Sequence, residues 1–129
     1  MKIFLIAAIA CVSVSLINCS SQKKALTSDC YKGRLEIKGI CSNYTIKLLE
    51  GKIDTAKIAA AWIDETTGKA YTNVFALGSP CTFAATINAG DEFYFTIDTS
   101  APQNCAVCMA FYPHPQRAVK IKVLNGPCN

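Results

Sequence analysis

Residues 92–98 read EFYFTID, and this stretch decides the fold. Phe93, Phe95 and Ile97 recur at every second position, so an extended chain carries all three on one face. Aromatic and β-branched residues at this period mark a strand with one side in a core. The turn Asn88-Ala89-Gly90-Asp91 precedes it, and the loop from Thr99 to Asn104, with Pro102, follows it. Further out, the same period returns. Val119, Ile121 and Val123 alternate with Lys120 and Lys122. Toward the N-terminus, Leu35 and Ile37 alternate with Arg34, Glu36 and Lys38, and Tyr44, Ile46 and Leu48 with Thr45 and Lys47. Cys41-Ser42-Asn43 is short and polar, so a bend or hairpin joins those two strands.

The middle of the chain is harder to read. Ala56, Ala59, Ala60 and Ala61 favour a helix over 54–63, which Asp54 or Thr55 is able to cap. Ile58, Ala60 and Trp62 alternate as in a strand. The polar turn from Asp64 to Lys69 and the β run Tyr71 to Leu77 tip the reading toward a hairpin. Gly78-Ser79-Pro80 breaks the chain, and Cys81 to Ile87 is predicted as a strand. Cys105 to Tyr112 is apolar and reads as strand or helical turn, and Pro113-His114-Pro115 forbids regular structure. The fold class expected is all-β: a small disulfide-stapled β-sandwich, or an OB-like barrel if 54–63 is helical, with about seven short strands.

The N-terminus has a different character. Lys2 is followed by the apolar run Ile3 to Ala10, extended to Ile17 and ended by Asn18-Cys19-Ser20-Ser21-Gln22. A charged start, a short apolar run and a polar boundary are the marks of an export signal. The run is about 15 residues, short of the ~20 that a membrane-spanning helix needs. Residues 1–19 are therefore expected to be a signal peptide, 20–29 a flexible tether and 30–129 the β domain. At the boundary, Leu16-Ile17-Asn18-Cys19 resembles the lipobox of bacterial lipoproteins, with Asn18 where that pattern has Gly, Ala or Ser. The resemblance implies lipid on the Cys19 sulfur. The body is similar to uncharacterised small lipoproteins of Bacteroidota, a likeness that implies no activity. The chain is thus expected in the bacterial cell envelope, its partner there a membrane reached through the lipid anchor. The rival expectation is plain secretion, with cleavage near Cys19 or Ser21.

The chain has eight cysteines; Cys11 and Cys19 lie in the signal region, which leaves six. An even number behind an export signal reads as a disulfide framework. With residues 31–40 extended, Cys30 and Cys41 would lie about 36 Å apart at ~3.3 Å per residue, too far to bond. Cys30 and Cys128 flank the first and last strands and are expected to close the domain. Cys41 with Cys81, and Cys105 with Cys108, complete the expected set.

Other chemistry is thinly supported. The Cys105–Cys108 pair has the spacing of a thiol-redox site but no βαβ setting, and Met109 stands where c-type haem attachment needs His. His114 is the single histidine, so neither a zinc site nor a nucleophilic triad is supported, and no metal or other cofactor is expected. Asp91, Glu92 and Asp98 flank the aromatic strand as turn and surface acids. Asn43-Tyr44-Thr45 matches a glycosylation sequon. The net charge of +4 is spread singly along strands, which argues against nucleic acid as a partner. No enzyme is expected. A protein or glycan ligand would meet strand-borne aromatics, of which Trp62, Tyr71 and Tyr94 are the candidates; Tyr44 and Tyr112 are further ones.

Overall fold

The computed structural model describes residues 29–100 and 103–128. The expected signal, the lipidation candidate Cys19 and residues 20–28 of the expected tether lie outside the described residues. The protein is all-β. Strands β1 (Tyr31–Lys38), β2 (Tyr44–Glu50), β3 (Ala59–Ile63), β4 (Ala70–Leu77), β5 (Glu92–Ile97), β6 (Ala118–Val119) and β7 (Ile121–Val123) share one sheet. A single 3-10 turn, Ile40–Ser42, joins β1 to β2.

The sheet closes on itself. In pairing order it runs β3-β4-β2-β1-β5-β7, all antiparallel. The chain through β6 and β7 then joins the ends, because β6 pairs parallel with β4 while β7 pairs with β5. Closure thus comes from one divided strand, not from a helix: residues 59–63 of the ambiguous segment form β3. Because the ring is complete without it, β3 is an outer strand attached to β4 alone.

Two features let β4 and β6 meet. Gly78 follows β4, and a Cβ there would stand 2.9 Å from the Val119 carbonyl carbon, so only glycine admits this close approach. Its N–H donates to Val119 O at 2.8 Å. One residue on, the buried Ser79 hydroxyl donates to Ile121 O and accepts from Ile121 N–H, both at 2.8 Å. Asp98 N–H donates to Lys120 O, so Ile121, next along an antiparallel ladder, turns its own backbone groups away from β5. Ser79 receives them where β4 has ended.

Leu35, Ile46, Phe75, Phe95 and Ile121 fill the centre, and Phe93, Val119, Ile53 and Ile58 extend it. Phe95 lies over Gly33, where an added Cβ would stand 2.9 Å from the ring. Phe93 and Phe95 both face inward as the alternation requires, and Ile97 is partly buried against them.

The strand predicted over Cys81–Ile87 is absent: these residues form turns. Phe83 and Ile87 still pack on the core, which explains their apolar character. Lys38 Nζ fixes this segment by donating to Ala85 O at 2.9 Å and Ile87 O at 2.8 Å. Residues 105–112 are irregular, neither strand nor helical turn.

All six body cysteines are bonded. Cys30–Cys128 is as expected, but Cys41 bonds Cys108 and Cys81 bonds Cys105. The expected Cys41–Cys81 and Cys105–Cys108 bridges are therefore corrected. The segment 103–113 crosses the surface between two anchor points, so neighbouring cysteines part to different partners. Three disulfides fit a protein outside the reducing cytosol.

Candidate functional site

The β3–β4 hairpin places the first wall of the site. Its turn is ordered by Asp64, a buried carboxylate that accepts from Thr66 N–H at 2.9 Å and from the Thr67 hydroxyl at 3.0 Å. Gly68, in the left-handed region, donates its N–H to Asp64 O at 2.7 Å. The fixed turn sets Trp62 opposite Tyr71 across the ladder, with ring centroids 5.7 Å apart. The Lys69 ammonium lies 4.9 Å from the Tyr71 ring centroid, within cation–π range.

The second wall comes from the irregular segment. Trp62, Ile63 and Glu65 face Phe111, Pro113, His114 and Gln116 across a groove of about 440 Å³. The Phe111 and His114 rings stand 5.9 Å apart. His114 Nδ1 lies 2.9 Å from Pro115 O. A carbonyl only accepts, so Nδ1 is the donor of this contact.

The same segment exposes apolar side chains that sequence alone gives no reason to expect outside. Met109 is 94% and Phe111 75% exposed, and Val107 is also exposed. Val107, Met109 and Phe111 alternate with Cys108 and Ala110, which are tied down. Cys108 bonds Cys41, and the Asn43 amide donates to Ala110 O at 2.9 Å. Upstream, Cys105 bonds Cys81, whose N–H donates to Gln103 Oε1 at 2.9 Å. Cys41 and Ser42 hold left-handed φ values of 54° and 58°, a strained backbone for residues other than glycine. Two cross-links and a strained turn thus hold an apolar segment against the pull of its own side chains toward a core.

The chain matches no protein-family model, no curated protein and no solved structure.

Of the candidates read from sequence, Trp62 and Tyr71 share the hairpin face, and Tyr94 is elsewhere. Tyr94 pairs with Lys32 on β1, whose ammonium sits 5.8 Å from its ring centroid. Tyr44 packs edge-on against Phe83, and Tyr112 lies beside Gly39. Phe111 and His114 have no signal of a binding role in the sequence: Phe111 lies in the apolar run 105–112, which reads as strand or helical turn, and His114 lies between two prolines. Each acid near β5 has a local partner: Asp91 accepts from Asn88 N–H at 2.8 Å, Glu92 pairs with Lys32 at 2.8 Å, and Asp98 accepts from Ser100 N–H at 2.9 Å. The Lys32 ammonium holds the Glu92 carboxyl below the usual carboxylate range. Chiefly the Ser100 N–H does the same for Asp98. The Asn43 sequon is folded in, its amide engaged and Thr45 fully buried. Among the described residues no group of three or more His, Cys, Asp or Glu is placed to hold a metal.

Proposed function

We propose that this is a non-enzymatic ligand-binding domain of the bacterial cell envelope, held to the membrane by lipid on Cys19. The observation that carries the reading is the groove between Trp62 and Phe111. Aromatic walls and few charges suit a neutral ligand with flat apolar faces and hydrogen-bonding edges, the chemistry of a carbohydrate. Glu65, His114 and Gln116 supply polar atoms at the rim. The bracing supports the same reading. A segment already fixed before the ligand arrives loses little conformational freedom on binding, which raises affinity. Exposed apolar surface is otherwise a liability that a folded protein hides.

The position of the anchor also supports this reading. Cys30 precedes β1 and Cys41 follows it, so a tether entering at Asp29 and the braced segment at Cys108 belong to opposite ends of that strand. An anchor at one end leaves Val107 and Met109 clear of the lipid.

The test is a glycan screen of the native protein beside Trp62→Ala and Phe111→Ala. Binding lost in both variants, with unchanged folding, is expected. Glycan binding indifferent to both, or binding of peptides alone, refutes the ligand class. In parallel, Cys19→Ala is expected to move the protein from the membrane fraction to the soluble one; unchanged partitioning refutes the anchor.

A further inference from the structure

A second groove adjoins the first. The turn residues 41–43, Leu77, Pro80 and residues 107–111 of the irregular segment enclose about 320 Å³. Phe111 lines both grooves, so the two meet at its ring. Their linings differ in kind. The first has the rings of Trp62, Phe111 and His114, whereas Leu77, Pro80, Val107 and Met109 give the second a mainly non-aromatic apolar wall. The exposed large apolar side chains among the described residues are Ile40, Ile63, Val107, Met109 and Phe111. All five lie on or beside this pair of grooves: Ile63 lines the first, Ile40 adjoins Cys41, and the others line the second. Val107 and Met109 also offer backbone, since neither makes a main-chain hydrogen bond to any described residue. No lysine or arginine lines either groove, so neither is built to hold a polyanion.

We propose that the second groove is a subsite for the N-acetyl group of an uncharged oligosaccharide whose neighbouring sugar lies against Trp62 and Phe111. The inference rests on the carbohydrate reading of the Trp62 groove and adds a substituent and a chain length to it. A sugar ring shows a flat C–H face, which suits aromatic walls. An acetamide carries a methyl and a hydrogen-bonding amide side by side. The methyl suits the apolar wall of the second groove, and the amide suits the unpaired backbone groups of Val107 and Met109. Hydroxyls alone would serve that backbone but leave Val107 and Met109 facing water. A protein partner fits less well, because the two grooves together have fewer lining residues than the ~20–30 a side of a standard interface. Each groove is near the small end of the ~300–1,000 Å³ range of ligand sites, so a ligand that fills both has more than one sugar unit. The Cys41–Cys108 bridge and the bond from the Asn43 amide to Ala110 O fix the second groove before a ligand arrives.

The experiment titrates the full exported protein calorimetrically with hexamers from chitin and from cellulose, which share a backbone and differ in the acetamide. The chitin hexamer is expected to bind about tenfold more tightly than the cellulose hexamer, and about tenfold more tightly than single N-acetylglucosamine. The double variant Val107→Ser, Met109→Ser changes only exposed side chains, so its Tm is expected to match the native value. It is expected to abolish the preference for the chitin hexamer and leave the cellulose hexamer unaffected. Trp62→Ala is expected to weaken both. Equal affinity for the two hexamers overturns the proposal, and so does a preference that survives the double variant. If neither hexamer binds while other glycans bind through Trp62, the subsite is overturned and the carbohydrate reading stands. If no glycan binds at all, that reading fails and the subsite with it.

Discussion

Replacing Ser79 with Ala tests how the barrel closes. The hydroxyl is fully buried and serves both backbone groups of Ile121, itself 1% exposed. Those groups face away from β5, so nothing else in the ladder is placed to take them. Removal leaves one buried N–H and one buried C=O unpaired, each costing about 1–3 kcal/mol. Alanine lacks only the oxygen, so the cavity it leaves is small, and a water entering it would recover part of the loss. A net loss of about 3 kcal/mol follows, and for a domain of this size each kcal/mol moves Tm by about 4–8 °C. Thermal unfolding followed by circular dichroism, with disulfides intact, is therefore expected to show Tm lowered by about 12 °C or more. A variant within about 3 °C of the native protein would show that Ser79 does not complete the sheet.

Thr45 presents the opposite case: its buried hydroxyl has no hydrogen-bond partner among the described residues, so Thr45→Val is expected to stabilise by about 1 kcal/mol in urea unfolding. A loss of stability would mean that the oxygen has a partner after all. Removing the Cys41–Cys108 bridge as a double Ser variant opens a loop of sequence separation 67, and is expected to cost about 4 kcal/mol on the chain-entropy argument. Hydrogen exchange over residues 107–111 is expected to accelerate in that variant, and unchanged exchange would show the segment braced by other means. Glu92 and Asp98 are both held below the ordinary carboxylate range, so their contributions are present above that range and fade as pH falls through the folded values. Carboxyl NMR titration of Lys32→Met is expected to return Glu92 toward its ordinary value and leave Asp98 low; a Glu92 that stays low would exclude Lys32 as the cause.

Much of the fold was legible in the residues because period-two alternation survives wherever one face is buried. β1, β5 and β7 follow this rule, and the Asp64–Lys69 turn marked the β3–β4 hairpin; β2 departs from it, since Thr45, read on the face opposite Ile46, is fully buried as well, where β1 shifts register against β2 between Leu35 and Ile37. Cys81–Ile87 misled because Phe83 and Ile87 pack on the core from a loop, giving strand-like apolarity without a ladder. In β4, Val74 through Leu77 are all buried, and Asn73 has a left-handed φ of 53°, so alternation fails where the hairpin joins the barrel. The bridge Cys30–Cys128 was readable because both residues flank terminal strands. Cys41–Cys108 and Cys81–Cys105 depend on the path of an irregular segment, and no local pattern encodes that path. The site divides in the same way. Trp62 and Tyr71 stand on strands, where spacing places them opposite each other, while Phe111 and His114 reach the groove through cross-links distant in sequence.

Everything functional rests on the chain crossing a membrane into an oxidising space. Intact mass of the protein purified from its host tests this directly. The expected mass is that of a chain beginning at Cys19, plus lipid, less the six hydrogens lost in forming three disulfides. A mass equal to the uncut, fully reduced chain from Met1 would contradict export, anchor and cross-links together.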